Sequence, residues 1–278
     1  MYGFQTITRL LEYIILSKAG RKNISSCRIQ YSLSVNLDNR KVVSMFFYEL
    51  HLHTAETSRC GRSPARDMVK EYADRGFSGI VVTDHFINGN SYAGEKETWK
   101  EKMDAYLLGY RAAKAAGDEM GLEVFFGVEY THLGGNGEDY LLLGLKPEHL
   151  YNELKDCDKW SIEYLCDVVH SLGGIVIRAH PYREAGYIAR AGIERPGLPI
   201  DAIEVFNAGN REDAFNAKAV ELALREGKPW TAGSDTHSVS TAATGYVGFE
   251  HKPKDYAELC EFIRNGKAFV VYHPKIEE

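Results

Sequence analysis

Leu50-His51-Leu52-His53-Thr54 follows directly on the apolar run Met45-Phe46-Phe47-Tyr48, and the reading of this stretch decides the fold. Side chains alternate between the faces of a strand, so His51 and His53 point into one space. Neutral imidazole is the commonest metal ligand, which makes the pair a candidate half-site. A polar strand end with two exposed histidines would read the same way. The remainder of the chain separates the two readings.

From Met45 onward the pattern is strand, loop, helix, repeated. Gly79-Ile80-Val81-Val82-Thr83 stops at Asp84-His85, and residues 122–128 form a buried run that stops at Glu129. Residues 140–145 read as a further strand. Ile175-Val176-Ile177 leads into Arg178-Ala179-His180-Pro181, residues 202–206 end at Asn207, and Trp230-Thr231-Ala232 runs into Gly233-Ser234-Asp235-Thr236-His237. Ser63-Pro64 starts a helix that Gly76 closes, a long helix over about 95–120 ends at Gly121, and another over 212–226 ends at Gly227. Short apolar strands without alternation, separated by helices, predict a parallel sheet covered on both sides. About seven such units favour a barrel over an open sheet. In a barrel the strands' C-terminal ends share one face, and histidines and carboxylates stand at those ends one after another. Scattered surface histidines would not respect strand ends.

A net charge of −6 carries no basic footprint for a nucleic-acid partner. The five cysteines are odd in number and form no CxxC pair, as expected of reduced thiols in the cytoplasm. No apolar run is long enough to span a bilayer, and no dinucleotide fingerprint or P-loop is present. Residues 1–44 differ in pattern from the rest of the chain. Ile7, Leu10, Leu11, Ile14 and Ile15 predict an amphipathic helix, and alternation from Ile29 to Leu37 predicts a hairpin strand. We treat 1–44 as an N-terminal extension and 45–278 as the barrel domain.

The motifs His51-Leu-His53-Thr, Thr83-Asp84-His85, Gly127-Val-Glu129, Ala179-His180-Pro181 and Gly233-Ser-Asp235-Thr-His237 resemble, in order, those of the polymerase and histidinol phosphatase (PHP) family. The resemblance implies an α/β fold, a distorted (β/α)7 barrel with two or three divalent metals at the C-terminal ends of its strands. By position it implies that His51, His53, Glu129 and Asp235 form one metal site. Glu129 would bridge to a second site with His180, His85 and His237 would belong to a third, and Asp84 would orient neighbouring groups. Two positions depart from the family pattern. Ser58 and Arg59 stand where Asp or His is frequent, with Glu56 and Cys60 nearby as substitutes. Asp139 stands where many members carry a histidine, so it is a candidate ligand of the second metal or a turn residue. His132 is a further candidate, or a plain loop histidine.

The mixed donor set suits Mn²⁺, Zn²⁺ or Fe²⁺. The function this implies is hydrolysis of a small phosphorylated metabolite by a metal-activated hydroxide, with Arg178 and Arg183, or Arg59 and Arg62, binding the phosphate. The alternatives are a protein-tyrosine phosphatase, an exonuclease-type phosphodiesterase, hydrolysis of a non-phosphate bond, and a catalytically silent metal-binding module. Nucleic acid is expected only as a nucleotide substrate.

Overall fold

The computed structural model describes residues 45–134 and 136–272. The helix and hairpin strand expected within 1–44 lie outside the described residues.

The first half alternates strands and helices: β1 (Phe46–Leu52), α1 (Ala65–Asp74), β2 (Gly79–Val82), α2 (Trp99–Tyr106), α3 (Leu108–Met120) and β3 (Glu123–Phe126). The second half holds β4 (Val128–His132), β5 (Glu138–Leu143), α4 (Ile162–Ser171), β6 (Ile175–Arg178), β7 (Ala202–Asn207), α5 (Asp213–Glu226), β8 (Trp230–Gly233), β9 (Gly245–Phe249), α6 (Tyr256–Arg264) and β10 (Phe269–Tyr272). The strands form two five-stranded sheets, ordered β10-β9-β1-β2-β3 and β4-β5-β6-β7-β8. This is a mixed α/β fold without a closed barrel among the described residues. Two isolated bridges, Leu52 to Thr236 and His85 to Glu129, join the sheets where the candidate ligands lie.

The expected all-parallel arrangement is corrected in two places. β5 runs antiparallel to both β4 and β6, and β9 runs antiparallel to β1 and β10. The single run expected over 122–128 is two strands. Gly127 passes the chain from one sheet to the other, where a Cβ would meet Thr83 Cγ2 and Val81 Cγ1 at 2.8 Å. Glu129 therefore sits inside β4 rather than after a strand.

The expected helix over 95–120 is also broken. Thr57 Oγ1 donates to Tyr106 O and accepts from the Gly109 N–H, both at 3.0 Å. A side chain inserted into the helical ladder in this way separates α2 from α3 at Leu107. Ser63 does not cap α1; both Glu56 carboxylate oxygens accept the Ala65 N–H at 3.0 Å instead.

Helix α1 buries Ala65, Met68, Val69 and Tyr72, an i, i+3, i+4, i+7 stripe, against Ile80, Val82 and the small residues Ala113 and Ala116 of α3. A second core brings Tyr48, Leu50 and Val81 of one sheet against Leu141, Leu143, Ile175 and Ile177 of the other. Leu50 belongs to this shared core, yet Leu52 packs with α1 and α3. The register of β1 shifts between these positions, as a bulge requires. No described helix is long and apolar enough to cross a membrane.

Candidate metal centre

His51 and His53 leave the end of β1 completely buried. Glu129 (β4), Asp139 (β5), Glu204 (β7), and His180 and Asp235 just beyond β6 and β8, are buried around them; His85 and His237 are partly exposed. His180 (φ 24°) and Asp235 (φ 49°) adopt left-handed backbone, which costs about 1–3 kcal/mol per residue. The surrounding structure holds both. The Glu204 carboxylate accepts the His180 N–H at 2.9 Å, and Arg183 Nη2 lies 2.6 Å from Asp235 Oδ2.

Hydrogen bonds assign the imidazole tautomers. A carboxylate can only accept, so His51 Nδ1, 2.9 Å from Glu204 Oε1, carries the proton. His237 Nδ1 donates to the Asp235 carbonyl at 2.9 Å. The Ser58 hydroxyl gives its proton to Asp84 Oδ1 at 2.6 Å, so its oxygen accepts from His53 Nδ1 at 3.3 Å and from the His85 N–H at 3.1 Å. The Nε2 atoms of His51 and His53 face carboxylate oxygens, Glu129 Oε1 and Asp235 Oδ1, each at 3.1 Å, while their Nδ1 atoms are held by outer partners, the arrangement found in metal-ligating histidine. Asp84 also accepts the Thr54 N–H and hydroxyl, each at 2.7 Å. It orients the 54–58 turn and, through Ser58, the His53 ring.

The ring nitrogens converge. His51 Nε2 and His180 Nε2 each lie 3.1 Å from Glu129 Oε1, His53 Nε2 lies 3.1 Å from Asp235 Oδ1, and His85 Nδ1 lies 2.5 Å from Glu129 Oε2. Yet His51 Nε2, His85 Nδ1 and Glu129 Oε2 are buried with no aligned hydrogen-bond partner. Four ligand sets can be drawn: His51/His53/Glu129, His53/His85/His237, Glu129/Asp139/His180 and His51/His180/Glu204. Within each set the ligand atoms lie within 4.8 Å of one another. Four carboxylates, Glu129, Asp139, Glu204 and Asp235, are buried here, and Arg183 pairs with Asp235. Unpartnered buried imidazole nitrogens and a carboxylate oxygen, among clustered carboxylates, fit divalent cations.

The titrations carry the same imprint. Burial opposes ionisation of Glu129, but His85 and His51 hold it well below the ordinary carboxylate range. Burial likewise opposes the charged form of His51, yet Asp235, Glu204 and Glu129 lift it well above the usual imidazole value. Burial and the charge of Glu129 push Asp139 up.

Asp139 accepts from Thr131 Oγ1 at 2.6 Å and Tyr187 OH at 2.8 Å, and its Oδ2 lies 3.8 Å from His180 Nε2. His132 is buried but joins none of the ligand sets. The arginines separate. Arg183 borders a cavity of about 580 Å³ shared with His85, His237, Asp235, Tyr187 and Arg211. Arg178, Arg59 and Arg62 do not border it. Arg178 is buried elsewhere, donating to Glu138 and to the Ile193 carbonyl. Three contributors carry no role in the sequence reading. Glu204 stood in the sequence only among the residues at strand ends, beside Asn207, with no ligand role. Glu49, also buried, accepts the His51 and Ser234 N–H groups at 2.9 and 3.1 Å. Arg211 at the cavity wall has no signature in sequence.

The sequence profile of the PHP domain matches residues 49–195, and that of the PHP-associated region matches residues 213–268. The chain belongs to the PHP family. Among solved structures it resembles a two-domain Bacteroides vulgatus protein described as containing a PHP-like metal-dependent phosphoesterase. That pair shares 14% identity over 83% of this chain and 65% of the other, with a TM-score of 0.61. PsfC from Pseudomonas syringae matches at 16% identity over 82% and 92% of the two chains, TM-score 0.58. The lesion-specific endonuclease EndoQ of Pyrococcus furiosus matches at 11% over 82% and 58%, TM-score 0.52. At these identities the likeness is one of fold. No curated protein sequence matches the chain.

Proposed function

We propose that this PHP-family chain is a metal-dependent phosphoesterase acting on a small phosphorylated molecule. One observation carries the reading: buried imidazoles held at Nδ1 by outer partners turn their other nitrogens, with carboxylates, toward shared points beside an arginine-bordered cavity. His51, His53, Glu129 and Asp235 would hold one ion, Glu129, Asp139 and His180 a second, and His85 and His237 would serve a third. We read the two bridged sheets as the halves of the family's distorted barrel. Divalent ions bound there supply Lewis acidity, lowering the pKa of a water and offsetting phosphoryl charge. The donors suit Mn²⁺, Zn²⁺ or Fe²⁺.

The remaining work falls to the chain. Arg183 is held through Nε and Nη2 by Asn210, Asn207 and Asp235. Its guanidinium borders the cavity, where it can bind a phosphoryl oxygen and fix the ester in line. A cavity of about 580 Å³ suits a metabolite-sized ligand. The four described cysteines are free, which suits a reducing cytoplasm.

The test is inorganic phosphate release by Mn²⁺-loaded protein from phosphorylated metabolites, mononucleotides and a phosphotyrosine peptide, alongside electrophoresis for cleavage of a single-stranded oligonucleotide. Chelator-sensitive turnover of one metabolite class is the expected result. Preference for the oligonucleotide or the peptide would move the assignment to a nuclease or protein phosphatase. Metal binding with every ester untouched would leave a silent module.

The two arginines should respond differently. Arg183→Ala removes a charged hydrogen-bond donor worth about 1.5–3 kcal/mol, so KM should rise about 10- to 100-fold. Arg178→Ala should leave KM unchanged and lower stability instead, by about 2–4 kcal/mol for a buried charged network that loses a partner. Steady-state kinetics beside urea unfolding separates the two. A KM rise in Arg178→Ala at unchanged stability would return that residue to the site.

A further inference from the structure

The loop between β6 and β7 runs back along the β4–β5 turn and is pinned there. The Ala189 N–H donates to the Asn136 carbonyl at 2.9 Å, and Arg178 donates to the Ile193 carbonyl at 2.6 Å. Arg195 grips both oxygens of Glu138, at 2.8 and 3.3 Å. Gly137, at φ 80°, meets the loop backbone so closely that a Cβ would fall 2.3 Å from the Tyr187 carbonyl oxygen. These contacts fix where Tyr187 leaves the chain. Its residue is 49% exposed, and it borders the cavity together with Phe215, Leu133 and Arg183. Its hydroxyl donates to Asp139 Oδ2 at 2.8 Å. That oxygen is also the one 3.8 Å from His180 Nε2, while Asp139 Oδ1 accepts from Thr131 at 2.6 Å. A carboxylate has about four acceptor sites, so Oδ2 can take the hydroxyl and still face a cation.

We propose that Tyr187 joins the cavity to the second ion: its hydroxyl positions Asp139 as a ligand, and its ring receives a planar aromatic leaving group of the phosphate ester. The proposal rests on the reading of Glu129, Asp139 and His180 as a ligand set and deepens it to a substrate class. Two hydroxyl donors leave the buried Asp139 carboxylate one orientation, so it is ordered before an ion arrives. A half-exposed aromatic ring on a cavity wall offers a face for offset stacking, and Phe215 and Leu133 extend the apolar wall beside it. With Arg183 on the phosphoryl end, the leaving group would lie along the loop that carries Tyr187.

Two binding measurements on the full chain test this without turnover. In Mn²⁺ titration calorimetry, Tyr187→Phe should weaken one equivalent by about 10- to 100-fold, the worth of an outer partner of a metal ligand. Asp139→Ala should remove that same equivalent, and adding Tyr187→Phe to it should leave the rest of the isotherm unchanged, which separates positioning from general damage to the fold. At saturating Mn²⁺, phenylphosphonate should bind about 2- to 10-fold tighter than methylphosphonate, the worth of an aromatic pair. Tyr187→Phe should keep that preference and Tyr187→Leu should erase it.

Native Mn²⁺ affinity in Tyr187→Phe would overturn the positioning role. A phenyl preference that survives in Tyr187→Leu, or is missing from the native protein, would overturn the aromatic substrate class. An Asp139→Ala protein that retains every equivalent would overturn the second ligand set itself, and a native protein that binds no Mn²⁺ would overturn the metal-centre reading beneath it.

Discussion

Glu129→Gln is expected to lower phosphate-ester turnover by at least about a thousandfold, near 4 kcal/mol on the barrier, and to abolish stoichiometric metal retention on dialysis. The amide has nearly the same shape, so packing is preserved. What changes is the electrostatics. Glu129 approaches four rings, those of His51, His53, His85 and His180, at 2.5–3.5 Å. The amide removes one negative charge and turns an N–H toward lone pairs that already lack donors. Metal at a hundredfold excess over Kd stabilises a protein by about 2.7 kcal/mol, or about 5–10 °C for a chain of this size. That rise should appear in the native protein and vanish in the variant, while the metal-free variant unfolds within a few degrees of its parent. Full metal content with turnover would remove Glu129 as the bridging group.

The second large effect belongs to a residue outside any motif. Gly109 lies in the first turn of α3, where alanine would normally favour the helix by about 1 kcal/mol. Here a Cβ would fall 2.0 Å from Thr54 Oγ1 and 2.6 Å from Asp84 Oδ2. The threonine cannot swing aside freely, because its hydroxyl donates to Asp84 and its N–H donates to the other carboxylate oxygen. Overpacking of this kind costs about 1–3 kcal/mol, and here it also loosens a buried charged hydrogen-bond pair. Gly109→Ala should therefore destabilise by about 2–4 kcal/mol and weaken metal binding by displacing the Ser58 support of His53. Chemical unfolding and metal titration would measure the two effects. A stabilised variant with native affinity would mean that the 54–58 turn yields at no cost.

Much of the candidate centre is readable from local pattern. His51 and His53 share a face, and His85, His180 and His237 each follow a short apolar run. The family motifs needed only sequence order. Glu129 and Asp139 were also identifiable, though Glu129 through the wrong local picture, as a residue ending a strand that in fact divides at Gly127. Strand direction was not legible. β5 has the apolar composition of a buried parallel strand, but an antiparallel strand covered on both faces has the same composition.

Other features depended wholly on distant partners. The register shift in β1 sends Leu52 outward beside α1 although its parity with Leu50 says otherwise, and β7 shifts between Glu204 and Phe206. Glu204 acquires its place only because His51, 153 residues away in sequence, presents Nδ1 to it. Arg178 and Arg183 flank His180 almost symmetrically in the chain, yet Glu138 of β5 draws the first away while Asp235 and the two asparagines hold the second at the cavity.

The sequence by itself determined the family, the α/β class and which histidines, with Glu129, Asp139 and Asp235, stand as candidate ligands, because these follow from residue type, periodicity and order along the chain. The tertiary structure alone decided which strands pair and in which direction, which carboxylate each imidazole meets and which arginine borders the cavity. Hydrogen bonds, buried charge pairs and close packing act at a few ångströms between residues remote in sequence, so no local pattern encodes them.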